Sequence, residues 1–137
     1  MNVRPTVAEV QTLLDETPFC VEFKYRVLSL GDGEATLAVP YQPRHQRPGG
    51  ILSGQVYMCA ADVSLWLAII TKTGIDNVTA VTAEMTTAFL GSAREEEIIC
   101  SATVLKFGKR LVYGTSACRG LDGRLLTHHT MTYARQG

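Results

Sequence analysis

Apolar positions recur at Val7, Val10, Leu13 and Leu14, a helical spacing that predicts an amphipathic helix from Thr6 to about Glu16, stopped by Pro18. The period then shortens. From Cys20 to Leu30 and from Glu34 to Val39, β-branched and aromatic residues alternate with polar ones around Gly31-Asp32-Gly33, which predicts a hairpin. Tyr41 to Leu52 carries Pro43, Pro48, Gly49 and Gly50 and is expected to be a loop. Ser53 then stands as an N-cap before an apolar run to Ile70, predicting a long helix to about Thr73 that Gly74 ends. Val78–Leu90, Glu97–Phe107, Arg110–Arg119 and Arg124–Ala134 read as strands of a meander, with turns at Phe107-Gly108-Lys109 and Leu121-Asp122-Gly123.

A helix that is apolar nearly all round must be buried on all sides. Set between strands of one antiparallel sheet, it is expected to be wrapped by that sheet in an α+β domain.

Composition narrows the choice. A chain of 137 residues, 46% hydrophobic and of zero net charge, suits a single domain over residues 1–137 and lacks the basic footprint of a nucleic-acid binder. Met1-Asn2-Val3-Arg4-Pro5 does not resemble a secretory leader, so a cytoplasmic protein is expected. The Val56–Ile70 run is shorter than the roughly 20 residues of a membrane span and holds Asp62 at its middle, so no membrane partner is expected. Cys20, Cys59, Cys100 and Cys118 form no CxxC pair, and His45, His128 and His129 stand in no metal-binding spacing with them. Reduced thiols, no metal and no cofactor follow as expectations.

Asp62 is the only charged residue between Gly49 and Ile70. An ionised carboxylate in such a run loses several kcal/mol on leaving water without a partner. Three readings stay open from the residues alone: a base or nucleophile, the N-cap of a shorter helix beginning at Val63, or a satisfied core carboxylate. The start of the long helix offers complementary chemistry, because the free N–H groups near Gly54 and Gln55 point out of its positive end and Gly54 permits close approach. Together these are donors for a developing oxyanion and a group that can bring water to a carbonyl carbon. Eight residues separate Gly54 from Asp62, roughly 12 Å along a helix axis. One helix therefore cannot present both to one carbonyl, whereas two antiparallel copies can.

The order short helix, hairpin, Gly-Gly loop, buried helix and strands resembles the hotdog fold, in particular the acyl-CoA thioesterases of the phenylacetate-pathway and 4-hydroxybenzoyl-CoA type. Arg47-Pro48-Gly49-Gly50-Ile51-Leu52-Ser53-Gly54-Gln55 stands where these enzymes carry a loop ending in His-Gly-Gly, and Asp62 where they carry the helix carboxylate. The stretch from Thr79 to Leu90 resembles their third strand, Gly108-Lys109-Arg110 their Gly-Arg turn, and the stretch from Asp122 to His128 their last hairpin. The chain departs from the pattern at Ser53 and Gln55, which replace the usual His and second Gly, and at Arg47, where many members have Asn or Gln.

The resemblance implies an acyl-CoA substrate, a homodimer or dimer of dimers, and Asp62, Gly54 and Gln55 as catalytic groups. Arg47, Ser53, Thr82, Trp66, Lys109 and Arg110 are the expected substrate contacts, Arg47 as a fork for phosphate or carboxylate and the two turn residues for coenzyme A phosphates. Two further readings remain: a hotdog hydratase or dehydratase pairing His45 with Asp62, and an acyl-CoA-binding module without catalysis.

Overall fold

The computed structural model describes residues 4–136. Helix α1 spans Val7–Glu16, and Thr6 caps it through a reciprocal pair in which Glu9 N–H donates to the Thr6 hydroxyl and Thr6 N–H to the Glu9 carboxylate. The strand expected from Cys20 starts later. Thr17 and Pro18 instead open a four-residue helix, α2 (Pro18–Val21), because proline at the first helical position pre-sets the turn. The chain then passes through Lys24 at φ 56° before extending.

Strand β1 (Arg26–Gly31) and β2 (Glu34–Val39) form the expected hairpin. Within the expected loop, a 3-10 turn at Pro43–His45 leads into a small ribbon of β3 (Gln46–Arg47) and β4 (Ile51–Leu52), closed by Gly49 and Gly50 at φ 100° and 75°. Such angles favour glycine because it lacks Cβ. Helix α3 then runs Gly54–Thr73, from the Ser53 cap to Gly74. Strands β5 (Val81–Phe89), β6 (Ile98–Phe107), β7 (Leu111–Gly120) and β8 (Leu125–Ala134) complete the described chain.

The six long strands form one antiparallel sheet in the order β1-β2-β6-β7-β8-β5. The meander expectation holds for β6 to β8 and fails for β5, which pairs with β8 at the far edge. Register shifts in β1, β5, β6 and β8 mark bulges, which increase local twist and bend the sheet around α3. Leu65, Leu67, Ile69 and Ile70 of α3 are buried, together with Leu37, Ile98, Leu126 and Met131 from the sheet. Gly114 makes this closeness possible, since a Cβ there would lie 2.6 Å from Leu65 Cδ1 and 2.6 Å from the Thr103 carbonyl oxygen.

At 20 residues, α3 is long and apolar enough to cross a bilayer, so length does not set it apart from a membrane span as the shorter run suggested. Its place inside the sheet does, with 67% of its most apolar window buried in the protein.

The sheet's two edges differ. Gln11 of α1 covers the β1 edge by donating to the Tyr25 carbonyl at 2.8 Å and accepting from Val27 N–H at 2.8 Å. The β5 edge has no such cover among the described residues, and Val81 and Phe89 are about half exposed on it. A long bare edge with apolar side chains is a template for pairing with another strand.

Candidate active site

Asp62 lies at mid-helix, where α3 meets the end of the sheet formed by β5 and β8. It is half-buried rather than sealed in the core. The apolar run is deceptive because the partners of its one carboxylate come from other elements. Thr82 of β5 and Tyr133 of β8 each donate a hydroxyl to Asp62 Oδ1 at 2.6 Å, and the Tyr133 hydroxyl also lies 2.8 Å from the Asp62 carbonyl oxygen. Thr82 sits at the β5 bulge, where alternation breaks and the side chain meets the helix.

The carboxylate opens onto a groove of about 710 Å³, lined among others by Phe19, Val63, Trp66, Val78 and Val81. Trp66 is held there by a 2.9 Å bond from its Nε1 to the Val78 carbonyl. Asp62 is the only Asp, Glu, Lys, Arg or His among the lining residues. The nearby thiols are kept protonated: burial, then Cys59 and Asp62, pushes Cys20 up to about 11, and burial followed by Asp62 raises Cys59. A carboxylate at the wall of an apolar groove, with one oxygen held and the other accepting no hydrogen bond among the described residues, can accept a proton from water or attack an acyl carbon.

Gly54 lies at the other end of the axis. A Cβ on it would come 3.0 Å from Phe89 Cε1, so the β5 phenylalanine covers the start of α3 while Thr82 meets its middle. Gln55 N–H is directed to the Ser53 hydroxyl at 3.4 Å, and the Gly54 N–H has no partner among the described residues. Ser53 therefore acts within the cap, and Gly54 is the freer donor. As the spacing anticipated, one chain does not bring Gly54 and Gln55 to Asp62.

The remaining candidates scatter. Arg47 is exposed on β3, opposite Ile51, and Arg94 braces the adjoining turn by donating to the Gly49 carbonyl. Lys109 and Arg110 line a separate surface hollow with Asn77 and Arg135, beyond the strand ends that carry Val81 and Tyr133. His45 is buried against Phe23 with ring centroids 5.5 Å apart, and it lines a different small cavity from Asp62. Burial and the adjacent Arg44 hold its imidazole below the ordinary histidine value. His129 is also enclosed, with Thr87 Oγ1 at 2.8 Å from Nδ1 and Thr127 Oγ1 at 2.7 Å from Nε2, while His128 points outward.

The sequence reading missed Tyr133, and also Phe19 and Cys20 in the groove wall. Inward alternation along β8, through Thr127, His129 and Met131, was the signal available for Tyr133.

The profile of the thioesterase superfamily matches residues 49–126, from the Gly-Gly turn through α3 into β8. The chain belongs to the thioesterase superfamily. A relative from Saccharolobus solfataricus, provisionally named an esterase, is 29% identical over 100 residues, covering 73% of this chain and 70% of its own. A structure of a protein provisionally called a thioesterase, from Silicibacter sp. TM1040, superposes with a TM-score of 0.87 at 25% identity, over 100% of this chain and 96% of its own. A Streptococcus pneumoniae thioesterase-type protein solved with coenzyme A shares the fold, with a TM-score of 0.75 at 15% identity over 82% of this chain and 86% of its own. The architecture of this superfamily member is accordingly the hotdog fold, one curved antiparallel sheet around a long central helix.

Proposed function

We propose that the protein hydrolyses an acyl-CoA thioester to the free acid and coenzyme A, with Asp62 as the base or nucleophile and the start of α3 as the oxyanion site. The observation that carries the reading is the single carboxylate opening onto an otherwise uncharged groove, with its oxygen Oδ1 already held by two hydroxyls. Coenzyme A in the related pneumococcal structure favours the carrier. The apolar walls formed by Phe19, Trp66, Val78 and Val81 favour an uncharged acyl group.

The active unit we infer is a homodimer joined along β5, alone or as part of a dimer of dimers. Helix α3 runs antiparallel to β5, with Gly54 beside Phe89 and Asp62 beside Thr82. An antiparallel pairing of two β5 strands centred between Met85 and Thr86 sets Thr82 opposite the partner's Phe89. The start of the partner's helix then lies beside Asp62, and the roughly 12 Å that separates the two groups within one chain is removed. The bare β5 edge supports this arrangement, whereas the start of the opposite edge is already engaged by Gln11.

In this unit the reaction divides between the two chains. The Gly54 N–H of one subunit faces the thioester oxygen as negative charge develops, which lowers the barrier because the donor is fixed in advance. Asp62 of the other either takes a proton from the attacking water, or attacks the carbonyl carbon to form an anhydride that water then opens to the free acid; in both cases the C–S bond breaks and the coenzyme A thiolate leaves. Arg47, Lys109 and Arg110 are assigned to the anionic groups of the substrate, outside the groove. A cytoplasmic site of action fits a coenzyme A substrate.

A panel of acyl-CoA thioesters, scored for free thiol and in parallel for loss of enoyl absorbance, tests the reading. Thiol release supports it. Hydration without thiol release selects the hydratase, and binding without turnover selects the non-catalytic module.

A further inference from the structure

The Asp62 carboxylate is held unevenly. Both hydroxyl donors reach the same oxygen, Thr82 Oγ1 at 2.6 Å and Tyr133 Oη at 2.6 Å from Oδ1. Oδ2 accepts no hydrogen bond among the described residues. Tyr133 differs from Thr82 in two respects. It is buried, at 3% exposure, and its hydroxyl stands 2.6 Å from Oδ1 and 2.8 Å from the Asp62 backbone carbonyl oxygen, so it ties the side chain to its own turn of the helix. Burial and the adjacent carboxylate also hold the Tyr133 hydroxyl well above the ordinary tyrosine value. It therefore stays protonated at neutral pH and keeps its proton for donation.

We propose that Tyr133 is the positioning residue of the site: with Thr82 it occupies Oδ1 and fixes the carboxylate plane, so that Oδ2 is the atom that acts on water or on the acyl carbon. This rests on Asp62 being the reacting group. The physical reason is rotational. A carboxylate on a helix turns about its Cβ–Cγ bond, and the two oxygens interchange unless one is engaged. With Oδ1 saturated by two donors, only Oδ2 keeps lone pairs free for the substrate. A reacting group displaced by about 1 Å loses on the order of 100-fold in rate. Tyr133, only 3% exposed in the groove wall, thus affects the chemical step through Asp62, and its removal falls on kcat rather than on KM.

The test is a cycle of Tyr133→Phe, Asp62→Asn and the double variant, assayed by thiol release on the acyl-CoA that wild type cleaves fastest. Tyr133→Phe is expected to lower kcat about tenfold or more with KM within about twofold. In the Asp62→Asn background the same change is expected to leave the residual rate within about twofold, since nothing remains to be positioned.

Tyr133→Phe at wild-type kcat beside an inactive Asp62→Asn overturns the proposal and leaves the Asp62 assignment standing. Equal losses from Tyr133→Phe in both backgrounds also overturn it, because that pattern belongs to general loss of structure. Asp62→Asn at near wild-type activity overturns the Asp62 assignment, and the role of Tyr133 with it. Thr82→Val, at an exposed strand position, carries the same test if Tyr133→Phe does not fold. A fall in kcat at unchanged KM supports the shared hold on Oδ1, and no effect beside an inactive Asp62→Asn refutes it.

Discussion

Asp62→Asn separates chemistry from fold cleanly because the two hydroxyls dictate how the amide sits. Thr82 and Tyr133 both donate, so Asn at this position turns its carbonyl oxygen to them and places its NH2 group where Oδ2 stood. The volume is kept and both hydrogen bonds persist, now between neutral groups. Net loss is about 1 kcal/mol per bond at most, and less here because Asp62 is partly exposed to water. A shift of a few degrees in melting temperature follows for a domain of this size. The chemical loss is larger. A lost base costs about 10²- to 10⁴-fold in rate, or about 3 to 5 kcal/mol of barrier. Thiol release from the best acyl-CoA, followed with a chromogenic thiol reagent beside a thermal melt, measures both. Activity within about threefold of wild type, with the fold intact, would refute the assignment.

Arg47→Ala is expected to raise KM more than it lowers kcat if the guanidinium anchors an anionic part of the substrate; a kcat loss at unchanged KM would place it at the reacting centre. Mixing Asp62→Asn subunits with Gly54→Pro subunits is expected to restore activity toward half of wild type per heterodimer, because one of its two sites then has both intact groups. Verified subunit exchange with no recovery would rule out a site shared between chains. Gly114→Ala is expected to cost about 1–3 kcal/mol by denaturant melt, since its methyl would sit 2.6 Å from the Thr103 carbonyl oxygen, which as backbone cannot step aside.

Signals that act over a few residues were read correctly from the sequence. The Ser53 cap, Gly74 at the end of α3, and the turns at Asp32-Gly33 and Asp122-Gly123 all lie where residue type and spacing place them. Hydrophobic periodicity settled the buried helix and the strand class, because a helix apolar on every side has no stable place except inside other elements. The exception within this range is Cys20 to Lys24, where Thr17-Pro18 starts a helical turn ahead of a strand-like pattern.

What the tertiary structure decided lies further apart along the chain. Strand order is one case: β5 follows α3 in sequence, yet the helix and its following loop carry it across the sheet to β8, a choice set by long-range packing. The surroundings of Asp62 are the other. Its flanking residues predict an isolated charge in an apolar run, while its hydroxyl partners stand 20 and 71 residues away and meet it only once β5 and β8 have paired. Residue identity could single out the carboxylate, because its burial carries a free-energy cost visible in the sequence. Which oxygen is held, by what, and which face stays open depend on contacts that exist only after the sheet has closed around the helix.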